Sequence, residues 1–377
     1  MARKLKSDKL LFIATLLLVC TSIVMVYSAS AVMAAANFND PYLFLFKQAT
    51  WALLGLFFLQ LVMRIDYRTY SQPAVIWTAL AVATVALVAV LFGTPRNGAT
   101  RWLNLGGLGV QPSEMAKISV IIFVAALLER RMERIDEPAY ALFPIGGVLA
   151  VVVGLILIEP DLGTAVSIVM IAGVMIFAAG ISYRYVVGLC LAALPALYAL
   201  VWTSEYRWKR VTTFLDPWKD PLGDGFQMIQ SMIAVSTGGV LGRGLMGGVQ
   251  KLFYLPEPHN DFIYAVISEE LGLIGSTVLL ACFCVIAWRG MRTSIRAPDR
   301  FGAFLALGLT TMVAFQAFFN MSVVLGLLPT KGIPLPFVSY GGSSLLINLI
   351  GMGMLLNVSQ HASTSQVVTT TLRPADA

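Results

Sequence analysis

Ten runs of mainly apolar residues divide the chain, at about 10–33, 46–63, 75–93, 116–128, 142–158, 162–180, 185–203, 262–288, 301–325 and 343–360. About 20 apolar residues in a helix cross a bilayer core. Inside these runs the apolar positions are continuous and do not alternate, which argues for helices and against the strands of a membrane β-barrel. The pattern predicts an all-α, polytopic membrane bundle of about ten transmembrane helices. The fourth run reaches spanning length only if Glu114 and Lys117 belong to its first turn. The first run follows a basic start and has no convincing cleavage site, so a retained helix is expected. One domain over 1–361 is expected, followed by a Ser/Thr-rich, disordered cytoplasmic tail at 362–377.

Composition supports this reading. The 377 residues are 58% hydrophobic and 12% charged, with a mean hydropathy of +0.80. Soluble proteins carry about 25% charged residues, so an ordinary soluble enzyme and a disordered chain are both excluded. Cys20, Cys190, Cys282 and Cys284 sit in apolar runs and are expected to be buried small hydrophobes. Two histidines, His259 and His361, are too few for a histidine-based metal centre. No Walker A sequence, dinucleotide fingerprint, HExxH or zinc spacing occurs.

The net charge of +6 reads as the lysine and arginine excess of inner loops, not as a nucleic-acid surface. With the N-terminus inside, 15 of the 26 basic residues fall on the inner side and 11 on the outer, six of the latter in the loop 204–261. Both termini are therefore expected in the cytoplasm. This orientation gathers the chemically varied segments outside: 94–115, the turn at 159–161, the long loop 204–261 and 326–342. The inner loops are short and basic. A substrate met at the outer leaflet follows from that asymmetry.

The long loop mixes aromatic, basic and small residues. An amphipathic segment in the membrane interface and a plain structured loop fit it equally well. Asp261 precedes the eighth run, where a carboxylate is often a helix cap. Two prolines lead into His259-Asn260-Asp261, and Glu269 and Glu270 follow inside an apolar helix. Ionisable residues within a span are costly and count as functional candidates. Glu114 and Lys117, spaced i, i+3, can pair on one face, as a structural ion pair or as a device that orients another charge. Asp161 in Glu159-Pro160-Asp161 is a cap or a site residue. Taken alone, this chemistry leaves enzyme and transporter close.

Four blocks resemble the SEDS family (shape, elongation, division and sporulation). Arg101-Trp102-Leu103 with Gln111-Pro112-Ser113-Glu114 is similar to the family's RW…QPSE block, and Glu159 to Gly163 to its EPDLG turn. Leu255 to Tyr264, continuing to Gly272, resembles LPE-x-HTDFIF, and Leu335 to Ser344 resembles PLPFxSYGGSS. The resemblance covers all ten runs. Asn260 stands where the family usually has Thr, Tyr264 where it has Phe, and Gly248 where Ser is common. Pro329-Thr330-Lys331-Gly332 looks like the division branch more than the elongation branch.

The resemblance implies a peptidoglycan glycosyltransferase in the bacterial cytoplasmic membrane at the division septum. Its substrate would be lipid II. Its partners would be a class B penicillin-binding protein, other division proteins and membrane lipid. An inverting transfer needs a base, for which Asp261 is the candidate. The pyrophosphate leaving group needs cationic support, for which Arg101, Lys117 and Arg210 are candidates. Glu114 would hold Lys117, and Asp161, Gln230, Ser231 and Lys331 would be supporting pocket residues. No cofactor is certain, no metal ligand set is evident, and a divalent cation (Mg or Mn) could assist at the pyrophosphate. The alternatives are a lipid II flippase, a non-catalytic division scaffold and an elongation-type polymerase.

Overall fold

The computed structural model describes residues 7–371 except 94–99, 106–107, 136, 138–139, 141 and 253. Helices α1 (Lys9–Phe38), α2 (Leu43–Val62), α3 (Pro73–Leu91), α4 (Pro112–Arg131), α5 (Leu142–Ile158), α6 (Leu162–Ala178) and α7 (Tyr183–Trp202) form the first part. Two shorter helices follow, α8 (Glu205–Leu215) and α9 (Phe226–Gly238), and then α10 (Ile263–Arg296), α11 (Arg300–Val324) and α12 (Gly342–Thr371). Their ends are encoded locally. Asp8 accepts the amides of Leu10 and Leu11 to cap α1, and Asp299 accepts that of Gly302 to cap α11. Pro73 and Pro112 open α3 and α4, where the missing N–H costs nothing.

Among the described residues six helices are long and apolar enough to cross a membrane, namely α1, α2, α3, α10, α11 and α12, and α5, α6 and part of α7 are shorter apolar helices. Helix α4 differs. It begins at Pro112, so Glu114 and Lys117 do lie in its first turns, and most of its side chains are buried. It packs against α3, α6 and α11, while α12 packs on α2 and α1 joins α2 to α10. None of the described residues of α7 is buried, and α7 meets α8.

The structure departs from the sequence expectations in several places. The 94–115 segment is not all loop: Leu103–Leu105 and Leu108–Val110 form a small antiparallel hairpin, β1 and β2. Helix α12 runs on to Thr371, into the tail expected to be disordered. Cys20 and Cys284 are exposed on the outside of the bundle, not buried. In an apolar phase an exposed thiol is a cheap side chain, so burial is not required. The loop 204–261 divides into two halves. Helix α8 buries none of its described side chains and suits an interfacial segment, whereas α9 packs on α10 as a structural element.

The eighth run is not one continuous span. Helix α10 breaks at Gly272, which has φ +65°. The break frees carbonyls and amides that must find partners away from water. Residues 239–244 supply them: the amides of Arg243 and Gly244 donate to the carbonyls of Glu269 and Glu270, and those of Leu273 and Ile274 donate to Gly239 and Val240. Gly242, at φ +77°, faces Gly272 so closely that a Cβ on either would overlap the other strand's backbone. Residues 262–270 are all buried in protein, and exposed apolar side chains begin at Leu273 and Ile274. The first turns of α10 therefore sit under loops, above the apolar surface of the bundle.

Glu269 and Glu270 belong to this latch. Glu270 accepts Lys251 Nζ at 2.6 Å, Ser28 Oγ at 2.7 Å and the amide of Met246 at 3.1 Å. Glu269 accepts the amide of Val249 at 2.8 Å. Both carboxylates are fully buried and hydrogen-bonded, which is the condition under which buried charge persists. Both fasten residues 246–251 to α10, and Glu270 adds α1 through Ser28.

Candidate active site

Asp261 does not cap α10. The capping position is Phe262, and its side chain makes no capping bond. The carboxylate is half-buried and opens on a cavity of ≈ 170 Å³ lined by Arg101, Arg210, Gln227, Pro256, Glu257, Asp261, Phe262, Thr330, Lys331 and Gly332. Four chain segments far apart in sequence meet there.

The backbone around Asp261 is pinned from two sides. Asn320 of α11, itself buried, donates through Nδ2 to the carbonyls of Asp261 and Ile333, each at 2.8 Å. Ser339 Oγ donates to the Asn260 carbonyl at 2.7 Å, and the Tyr340 amide donates to the His259 carbonyl at 2.9 Å. The His259 ring lies among the rings of Phe44 and Tyr340. Burial lowers its pKa to about 4, so it is neutral near pH 7 and acts as packing. Gly332 is pressed against the Asp261 carboxylate: a Cβ there would lie 2.6 Å from Oδ2.

The cationic residues are held by neutral groups. Arg101 donates to the carbonyls of Glu159 and Pro160 at 3.1 and 2.7 Å. Arg210 of α8 donates to the Thr330 carbonyl at 2.7 Å. Lys331 forms no ion pair among the described residues. Burial lowers its pKa to about 8, with Asp161 opposing and Arg210, Arg101 and Arg207 adding to the fall. Burial raises Asp261 to about 6, which Arg210 and Arg101 resist and Glu257 and Asp161 assist. A carboxylate in that range is ionised at neutral pH yet basic enough to accept a proton.

The structure thus brings together Asp261, Arg101, Arg210 and Lys331. It does not bring the other candidates to the cavity. Glu114 and Lys117 form a 2.8 Å ion pair, both about 2% exposed, inside α4. Asp161 is buried as the cap of α6, accepting from Thr164 Oγ1 at 2.6 Å, and Gln111 Nε2 reaches it at 3.4 Å. Ser231 donates to the Val324 carbonyl at 2.8 Å and fastens α9 to α11. Gln230 is half-buried beside it, outside the cavity lining. The α9 residue that does line the cavity is Gln227, one turn earlier.

Sequence reading also passed over Glu257, Thr330 and Gly332 as cavity walls and Asn320 as the fastener of Asp261. No local pattern marks Asn320, one of two buried amides in α11 with Gln316. Glu159 was visible in its turn but not singled out. It is fully buried, and neither carboxylate oxygen has a hydrogen-bond partner. Burial raises its pKa to about 8, with the Asp161 charge adding and Arg101 offsetting, so it is mostly protonated at neutral pH. Among the described residues no three histidine, cysteine or carboxylate side chains converge as a metal cage.

Fold and site together define a multi-pass membrane protein with two carboxylates and three basic side chains around one cavity. Residues 8–364 match the family model of the cell cycle proteins FtsW, RodA and SpoVE, and the chain belongs to that family. It is 45% identical over 356 residues to the probable peptidoglycan glycosyltransferase FtsW of Geobacter sp. (strain M18), covering 93% of this chain and 96% of that one. It is 43% identical over 363 residues to stage V sporulation protein E of Bacillus subtilis (strain 168), covering 96% and 99%. A chain from work on structural coordination of polymerization and crosslinking by a peptidoglycan synthase complex superposes with TM-score 0.79 at 31% identity, covering 95% and 99%. The crystal structure of Thermus thermophilus RodA superposes with TM-score 0.68 at 27% identity, covering 94% and 97%.

Proposed function

We propose that the chain polymerises lipid II into glycan strands at the outer leaflet of the bacterial cytoplasmic membrane, as a peptidoglycan glycosyltransferase of septal wall synthesis. One observation carries this reading. Asp261 is held by backbone contacts at the wall of a cavity, and Arg101, Arg210 and Lys331 line the same space. A carboxylate base beside three cations is the set that transfer away from a pyrophosphate requires.

The acceptor hydroxyl of lipid II attacks the anomeric carbon at the growing strand's end from the face opposite the pyrophosphate. The new glycosidic bond forms as the carbon–oxygen bond to undecaprenyl pyrophosphate breaks, and that oxygen keeps the electron pair. Asp261 takes the hydroxyl proton. Arg101, Arg210 and Lys331 stabilise the charge growing on the pyrophosphate, the arginines by paired N–H donation. If Mg²⁺ or Mn²⁺ assists, Glu257 beside Asp261 is the lining carboxylate left to hold it, with phosphate oxygens as the other ligands. The buried Glu114–Lys117 pair supports α4 from within.

The arrangement consistent with this chemistry has ten spans, both termini in the cytoplasm and the Asp261 cavity outside. Resemblance to a chain of a peptidoglycan synthase complex supports a crosslinking partner, a class B penicillin-binding protein. Lys331 favours the division role. The test is glycan polymer on a gel from purified protein, lipid II and partner transpeptidase. Wild type should form polymer, and Asp261→Asn should be slower by about 10²–10⁴-fold. Wild-type rates from a folded Asp261→Asn protein would overturn the assignment.

A further inference from the structure

A second cavity lies at the other end of the bundle. Helix α10 starts beside Asp261, breaks at Gly272 and ends at Arg296, and the 24 residues after the break span about 36 Å at 1.5 Å per residue. Its last turns line a cavity of ≈ 370 Å³ with Ser7 to Leu10 at the start of α1 and Ser359 and Ala362 of α12. Arg289, Arg292, Thr293 and Arg296 follow at i, i+3, i+4 and i+7, so one helix face presents them. Lys9 adds a fourth basic side chain.

Asp8 is the one acid in the lining, and it is already engaged. Its Oδ1 accepts the amides of Leu10 and Leu11 at 3.1 and 3.2 Å, and its Oδ2 accepts Arg289 Nε at 2.7 Å. Lys9, Arg292 and Arg296 are left without an acidic partner among the described residues. Like charges gathered around a hollow repel one another, and an anion there relieves the repulsion.

The flanks of the cavity distinguish a lipid from a soluble anion. Leu10, Ile13 and Leu17 of α1 and Trp288, Met291 and Ile295 of α10 are exposed, and α1 packs on α10. Apolar surface therefore leads away from the basic hollow along both helices. Basic pockets between membrane helices recognise anionic headgroups, and guanidinium groups suit phosphate oxygens. We propose that this cavity binds the phosphate headgroup of an anionic phospholipid, with the acyl chains lying along the exposed faces of α1 and α10. The inference does not rest on the reading of the Asp261 site.

The experiment is native mass spectrometry of the detergent-purified full chain, titrated with phosphatidylglycerol, phosphatidylcholine or inorganic phosphate. Wild type should hold phosphatidylglycerol in preference to phosphatidylcholine. Arg292→Gln with Arg296→Gln should weaken it by about fivefold per arginine, while Arg64→Gln with Arg300→Gln, an equal loss of charge outside the cavity, should not. If the cavity variant does not fold, Arg296→Gln alone, at an exposed position, gives the same test at about fivefold. Equal binding of phosphatidylcholine, or unchanged phosphatidylglycerol affinity in the cavity variant, overturns the proposal. Displacement of the lipid by inorganic phosphate at equal concentration assigns the hollow to a soluble phosphate and also overturns it.

Discussion

Two carboxylates near the start of α10, Asp261 two residues before it and Glu270 within it, are built on opposite principles. Glu270 is closed in on itself: Lys251, Ser28 and the Met246 amide use its acceptor capacity inside the protein. Asp261 is held by its backbone, and its carboxylate looks into a cavity shared with cations tied to carbonyls. A buried charge whose partners are all internal fastens the fold. A charge that shares an open cavity with cations is placed to meet a ligand. The two lie nine residues apart, and hydropathy alone does not tell them apart.

The contrast can be broken from either side. The largest effect expected is on rate at Asp261, where Asn should cost the 10²–10⁴-fold stated above and leave the thermal midpoint little changed. At Glu270 the pattern should reverse. Glu270→Gln leaves Lys251 charged and buried, a loss of roughly 3–5 kcal/mol, which should appear in thermal unfolding as a lower midpoint. Removing the pair together, Lys251→Met with Glu270→Leu, should be milder than the single change. An unaltered midpoint in Glu270→Gln would show that the latch does not hold the break in α10.

A smaller effect is expected from Gly332→Ala, which places a Cβ 2.6 Å from Asp261 Oδ2. The carboxylate must move, and polymerisation should slow by on the order of tenfold, since catalytic geometry is sensitive to such displacements. Gly146→Ala, which meets nothing within 4 Å, is the matched control. The mildest test is the pH profile of the wild-type rate. The base is needed ionised, so activity should fall as pH drops through about 6, the Asp261 value. The cation is needed protonated, so activity should fall again as pH rises through about 8, the Lys331 value. In Lys331→Arg the alkaline limb should move up while the acid limb stays. A profile flat between pH 5 and 7 would remove Asp261 from the role of base.

Apolar runs and terminal residues fixed the helices because both act over short distances. A continuous apolar run has no low-energy alternative in lipid, and Asp8, Pro73, Pro112 and Asp299 mark starts through bonds within one turn. Asp261 stood out locally through the proline-rich approach before it, while Arg101, Arg210 and Lys331 were marked by the family resemblance. Glu269, Glu270 and Ser231 were equally visible, since a buried polar residue looks alike in sequence whether it faces a cavity or a neighbouring loop. What separated those cases was which distant groups reach the side chain: Lys251 and Ser28 for Glu270, the Val324 carbonyl for Ser231, and the shared cavity for Asp261. The break at Gly272 is of the same kind, because residues 239–244 must arrive to satisfy the freed backbone before the helix can open. Helices and polar candidates were therefore determined by the sequence through local bonding and hydropathy. Cavity, latch and the division of labour between them were decided by tertiary structure, because each depends on hydrogen bonds and charges brought together from segments far apart in the chain.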